Sequence, residues 1–436
     1  MLSTRTATIA LTMSLAGTTL AGNTNDWIGS IGDWTNPANW SQGMPPGVSE
    51  YAIIANGGVA EIDSLDLTLG SGIIGTTLDG RFGMGELIQR GGTSNWNGFG
   101  SLLLARDKGS FGALTLTDGA QLNTQFALEI GWQGHAEAYV NQGSIANVDQ
   151  LIIAGRRYAP DRTYSATASL DVAGQGTLIR TTMGPNANGM VIGAGGSAQV
   201  TIRDGARIET TDALLLATTS EGSSLIIDGP ESVLQITGVF FDTGRDINLP
   251  DDHPPVGDAV LTLRNGGTVD AQSKVMRFAS QSLIQGTGSL LGDVTNNEGS
   301  VIDPGEADQY GSLYFGGQLD NTVTHHSSAL GGTLHFDIGS TTDFDTLSVH
   351  DLIAGGTLEV AIAGDFVAEF GQSFDIISAD TLTGEFDLIE LPELDGALFF
   401  ETDVHAQGVT LSVVPAPASL LALALPMLAR ARRRAE

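Results

Sequence analysis

Two stretches of this chain carry side chains able to do chemistry. Arg156, Arg157, Tyr158, Arg162 and Tyr164 fall together in RRYAPDRTYS (156–165). Guanidinium forks pair bidentately with carboxylate or sulfate, and tyrosine rings add a flat apolar face with a polar tip, a combination suited to an acidic polysaccharide. The plainer reading of the same residues is surface decoration paired with neighbouring Asp and Glu. The second stretch, TGRDINLPDDHPPVGD (243–258), gathers Asp246, Asp251, Asp252 and His253 behind Asp242. Oxygen ligands at this density can hold Ca²⁺, yet the Gly-punctuated spacing of an EF-hand loop or of the GGxGxD nonapeptide is missing, which favours a solvated polar loop. A third set is aromatic. Trp27, Trp34 and Trp40 crowd into NDWIGSIGDWTNPANWSQGMPP and either stack on sugars or plug the end of a repetitive fold; the plug is expected.

Signatures of catalysis are missing from the sequence: it has no HExxH, GxSxG, P-loop or dinucleotide fingerprint. The adjacent His325 and His326 would point to opposite faces of a strand, so they do not form one site. No catalytic, cofactor-binding or metal-binding residue is therefore assigned. Absence of cysteine removes disulfides, thiolate metal sites and a thiol nucleophile. A formal charge of −31 repels nucleic acid.

The elements that must position these residues come from a repeat. GALTLTDGAQL, AEAYVNQGSI, ASLDVAGQGTL, AQVTIRDGARI, SSLIIDGPESVL and AVLTLRNGGTV recur between Ser101 and Gly267. In each copy two apolar residues alternate with polar ones, the pattern of a half-buried strand, and a Gly marks the turn that ends it. The second apolar residue of successive copies falls at 116, 140, 172, 202, 227 and 263, so the basic unit is 24 residues with insertions. A further apolar run lies between copies, as in SLLLA (101–105), FALEIG (126–131) and QLIIAG (150–155), so each unit holds at least two strands. Gly-rich units of this length predict an all-β chain wound as a single-stranded parallel β-helix, or β-solenoid, with right-handed winding and some twelve to thirteen coils. Such a rod would be on the order of 60 Å long. The insertions 156–165 and 243–258 follow the same strand of the unit, which predicts that both leave the rod at one corner. Arg106 and Lys108 belong to that corner, and an insertion near Gly184 to Asn188 to another.

Both ends read as export signals. Residues 1–21 carry Arg5, the apolar run TIALTMSLAGTTLA and small residues before Asn23, as in a secretory signal peptide cut after Ala21. Residues 22–50 form the Trp-rich N-terminal cap, 51–298 the solenoid repeats and 299–413 a β region of different texture. There Pro304-Gly305, SLYFGG, Asp343-Phe344-Asp345-Thr346-Leu347-Ser348-Val349, Gly356-Thr357-Leu358, Phe366, Phe374 and Gly384 follow one another. This order resembles the C-terminal portion of autotransporter-like β-strand repeat proteins. The resemblance implies a β cap closing the helix, with Asp343 and Asp345 as turn and strand-start residues. Residues 414–436 combine Pro415, Ala416 and Pro417 with the apolar run ASLLALALPMLA and then Arg430, Arg432, Arg433 and Arg434. That arrangement resembles the PEP-CTERM sorting signal, with Ala416 where the family has Glu. It implies a short C-terminal hydrophobic helix, export machinery and an exosortase-like processing enzyme as partners, contact with the membrane only through the tail, and a Gram-negative cell surface rich in extracellular polysaccharide. The expected role is non-enzymatic, structural or adhesive; the alternatives are a carbohydrate-active lyase or hydrolase on the same fold and a Ca²⁺-dependent adhesin.

Overall fold

The computed structural model describes residues 23–98, 102–155, 166–182, 188–211, 213–216, 222–238, 241–243, 258–279, 281–306, 309–322, 331–396 and 398–416. Among these residues the chain is all β, with two short 3-10 turns and no α-helix. Nearly every strand belongs to one sheet, and from Glu50 to Thr243 its pairings are parallel and link each strand to the one three strands later, until the strands of a turn merge after Ala259. Each turn of the chain therefore lays down one strand on each of three faces. In one complete unit these are Phe111–Thr117 on face A, Gln121–Thr124 on face B and Ala127–Ile130 on face C. His135–Asn141, Ile145–Val148 and Gln150–Ile153 then stack directly above them.

The repeated phrase is thus two strands, not one. Its Asp118-Gly119, Gln142-Gly143, Asp204-Gly205 and Asn265-Gly266 pairs have both residues at positive φ, which folds the phrase sharply at the corner between faces A and B. Consecutive left-handed residues are the requirement of a type I′ turn, and Asn, Asp and Gly meet it at least cost. Counting the apolar run as well, the unit has three strands where the alternation alone revealed two.

Alternation along each strand sends every second side chain inward, and stacking brings equivalent residues into columns. On face A one buried column runs through twelve rungs, Ala60, Leu87, Leu114, Ala138, Leu170, Val200, Leu225, Leu261, Ile284, Ile302, Leu334 and Leu358, and the register continues to Gly32 at one end and to the exposed Ile389 at the other, fourteen rungs in all. The count slightly exceeds the twelve to thirteen expected, and after Ala259 the strands of a turn merge into Ala259–Phe278 and Ser282–Asn296. One hydrophobic core extends from Trp27 to Val413 and passes through residues 298 and 299 without a break.

Aromatic groups fill both ends of this core. Trp34 packs edge-on against Trp40 at 4.7 Å and Trp96 at 5.9 Å, and Trp27 against Trp40 at 5.1 Å. The indoles of Trp27, Trp34 and Trp40 are at most 1% exposed, so they present no face to a sugar. Trp40 Nε1 donates to the Trp34 carbonyl at 2.6 Å, and Arg81 ties the first rung down through Asp26 at 2.6 Å and Asp79 at 3.0 Å. At the other end Phe374 lies between Phe344, Phe366 and Phe400. There the parallel order stops. Leu398–His405 and Gly408–Pro415 form an antiparallel hairpin, and its second strand pairs antiparallel with Ser373–Gly384.

Because each rung touches only its neighbours, damage at one end should stay there. Trp34→Ala is expected to cost about 3–5 kcal/mol. Hydrogen exchange is expected to accelerate in residues 23–98 while amides beyond Ser282 keep their protection; uniform loss along the chain would contradict this picture of the core.

Candidate functional surface

The outward positions of the three faces form columns as regular as the interior. On face B, Asn147 Nδ2 donates to Asn123 Oδ1 and Asn123 Nδ2 to Asn95 Oδ1, both at 2.9 Å. The same column continues with Arg180 bonded to Glu209 at 2.8 Å and Gln235 to Asp270 at 3.3 Å. On face A, Phe111 stacks on His135 at 5.6 Å, and Glu137 is shared between His135 Nε2 at 3.3 Å and the Tyr139 hydroxyl at 3.0 Å. Arg203 holds Asp171 with two bonds of 2.8 and 3.0 Å, Arg264 holds Glu306 with two of 2.6 and 2.7 Å, and Arg90 meets Glu61 at 3.0 Å. These cations are committed to carboxylates on other rungs. Hydrogen bonding to those carboxylates raises the arginine pKa values above their ordinary range, against the opposing effect of partial burial.

Face A carries a second polar cluster near its C-terminal end. His335 Nδ1 lies 3.2 Å from Glu359 and Nε2 3.6 Å from Asp337. Asp303 follows the registered pair Ile302 and Leu334, which places it beside His335. Burial pushes the Asp303 carboxyl above its usual range, with His335 opposing and Asp337 and Glu359 reinforcing the shift. Burial also disfavours a charged His335, but the bond to Glu359 and the nearby carboxylates of Asp303 and Asp337 outweigh it and raise the imidazole pKa. Beneath them Asp345 is 1% exposed. Its two oxygens accept the backbone N–H groups of Gly311 and Asp337, each at 2.8 Å, and burial still lifts its pKa to about 7. Asp343 accepts the Ser340 hydroxyl at 2.9 Å within a turn. Asp345 therefore braces backbone, and Asp343 holds a turn through the Ser340 side chain. No His335 cluster was foreseen from composition, although the recurrence of Asp303, His335 and Glu359 at repeat-like intervals is the signal that could have found it.

The structure also locates the insertions. Loop 156–165 leaves after Gln150–Ile153 and returns to Ala166–Ala173, and loop 244–257 leaves after Phe241–Thr243 and returns to Ala259–Phe278. Both join face C to face A, so both spring from one corner, three rungs apart. The segment 323–330, between Ser312–Asp320 and Thr333–Ile338, belongs to the same corner. The insertion near 184–188 instead joins face B to face C. Arg156, Arg157, Tyr158, Arg162 and Tyr164 themselves lie outside the described residues, as do His325, His326, Asp246, Asp251, Asp252, His253, Ala21, Pro417, Arg430, Arg432, Arg433 and Arg434.

Two described members of the expected sets have interior positions. Asp242 is 3% exposed and lies 3.7 Å from Arg277 of the next rung. Arg106, at the same corner as the loops, is 5% exposed, and its guanidinium lies 5.5 Å over the Trp132 ring. Burial lowers its pKa, with Asp107 opposing. Among the described residues no group of three or more His, Asp or Glu is arranged to hold a metal ion. Pro415 and Ala416 close the last strand, Gly408–Pro415, and the residue after it. Neither a known protein family nor a curated protein matches this chain.

Asp345 has a folded pKa near 7, above its value in an unfolded chain. Its contribution to stability is therefore fully present below about pH 4 and is lost as pH rises through about 7. Asp345→Asn is expected to abolish this component, so the denaturation midpoint of the variant should fall less than that of the parent between pH 4 and 7. Equal slopes would show that Asp345 does not titrate in this window.

Proposed function

We propose that this chain is an exported, non-enzymatic surface or extracellular-matrix protein with a structural or adhesive role alongside an acidic exopolysaccharide. The observation that carries the reading is the uninterrupted three-faced rod, with three of its insertions, 156–165, 244–257 and 323–330, at the corner between faces C and A. Solenoids commonly build binding surfaces by lengthening loops on one side, where successive units present them in a row. On the faces themselves, the guanidinium groups of Arg90, Arg180, Arg203 and Arg264 are already paired with carboxylates. The basic loop 156–165, with Arg156, Arg157, Arg162, Tyr158 and Tyr164, supplies the cationic and aromatic groups that in this reading meet an anionic sugar.

The winding is right-handed in this reading, the antiparallel hairpin 398–415 caps the C-terminal end, and residues 418–429 form a short hydrophobic helix. Capping is supported by the way the hairpin occupies the edge of face B, which would otherwise be an open template for another chain. The solenoid belongs with autotransporter-like repeat proteins and the tail with PEP-CTERM sorting signals, recognised by an exosortase-like enzyme at a Gram-negative envelope. A signal peptide ending at Ala21 delivers the chain.

Arg156→Ala combined with Arg162→Ala is expected to abolish retention on a column of carboxylated polysaccharide at moderate salt, with an unchanged β-type circular dichroism spectrum. Retention equal to that of the parent would reject glycan contact through this loop.

A further inference from the structure

The described chain leaves the fold at a defined point. Pro415 is paired with Leu398, and just before it Val413 accepts from Gly371 N–H at 3.0 Å and donates to the Gln372 carbonyl at 2.9 Å. The last strand therefore ends beside the turn that follows Ile362. In that turn Ala368 faces the core, whereas Val367 and Phe370 are 57% and 68% exposed. Val367 and Phe370 are thus two exposed apolar side chains in one turn, beside the point where the chain leaves the fold.

The apolar run of the tail begins at Ala418, so residues 416 and 417 alone connect it to the paired Pro415. Fully extended, that connection reaches about 10 Å, and the flanking prolines restrict it further. The run itself, 418–429, would measure about 18 Å as a helix, well short of the roughly 30 Å hydrocarbon core of a bilayer. With neither slack in the tether nor spare length in the apolar segment, seating the tail in lipid draws the end of the rod onto the membrane surface. The groups beside Pro415 are then the ones that meet it.

We propose that Val367 and Phe370 form a membrane-contact patch that inserts into the interfacial layer of a phospholipid bilayer and holds this end of the rod against it until the tail is removed. Phenylalanine and valine gain from leaving water at this depth. Asp365 and Glu369 in the same turn keep their carboxylates at the headgroup level, which favours zwitterionic over anionic lipid. The proposal rests on the reading of residues 418–434 as a membrane segment.

The test uses the full chain, which has no native cysteine. Phe370→Cys and Val367→Cys are labelled with an environment-sensitive fluorophore, and Gln121→Cys, exposed on face B in mid-rod, serves as the control. Each is mixed with vesicles of zwitterionic phosphatidylcholine. Flotation that is lost when residues 417–436 are removed reports on the tail, since the apolar leader stays in place, while a blue shift and quenching by a lipid-borne quencher report on the patch. The expected result is flotation with the labels at 367 and 370 in lipid and the label at 121 in water. Flotation with all three labels in water overturns the patch and leaves the anchored tail standing. A chain that does not float overturns both.

Discussion

Hydrogen bonding between rungs, parallel to the rod axis, is the constraint on which everything else in this molecule depends. Each strand is too short to be stable alone, and its N–H and C=O groups find partners only in the turns below and above. In-register pairing then forces equivalent residues into columns, so a single inward position such as Leu114 is repeated by Ala138 and Leu170 without any long-range specification. A slip of one residue would turn every interior column outward, and the uninterrupted apolar column is what prevents it.

A stack of this kind has two ends that cannot satisfy the same rule. The N-terminal end is closed with three indoles and the Arg81 ion pairs, the C-terminal end with a phenylalanine cluster and a reversal of strand direction. Some polar side chains enter the interior with their partners. Gln89 takes a place that Leu116 and Val140 occupy in the next rungs, and its amide is bonded to the carbonyls of Gly91, Gly92 and Gln121 and to Ser94. Asn296 and Asn321 form a buried pair at 2.7 Å that bridges consecutive rungs.

Much of the architecture was legible because the repeat is local: alternation named the strands of face A, and the Asp-Gly and Asn-Gly pairs named their ends. The third strand was harder to see, since Gln121–Thr124 and its equivalents have only four residues, too few for alternation to stand out. The shared corner of loops 156–165 and 244–257 followed from their position in the unit and holds for their flanking strands. The fates of individual polar residues were not legible. Asp242 reads as the first acid of an acidic loop, yet the phase of its strand turns it toward Arg277, and Arg106 reads as a corner cation, yet Trp132 lies against it. Which rung a side chain meets depends on the length of every insertion between them, a quantity that no local motif carries. The His335 cluster is of that kind: Asp303 and Glu359, 32 and 24 positions from His335, come beside it only once the register is set.

Axial alignment of the backbone bonds also sets how the rod answers to force. Tension applied between its two extremities loads the links between turns one after another, because no disulfide spans them and no strand runs the length of the molecule. Turns would peel singly from a loaded end, each releasing about 80 Å of chain for a unit of some 24 residues. A short rigid object thereby becomes a long extensible one under load, dissipating work at every step while the remaining turns stay wound.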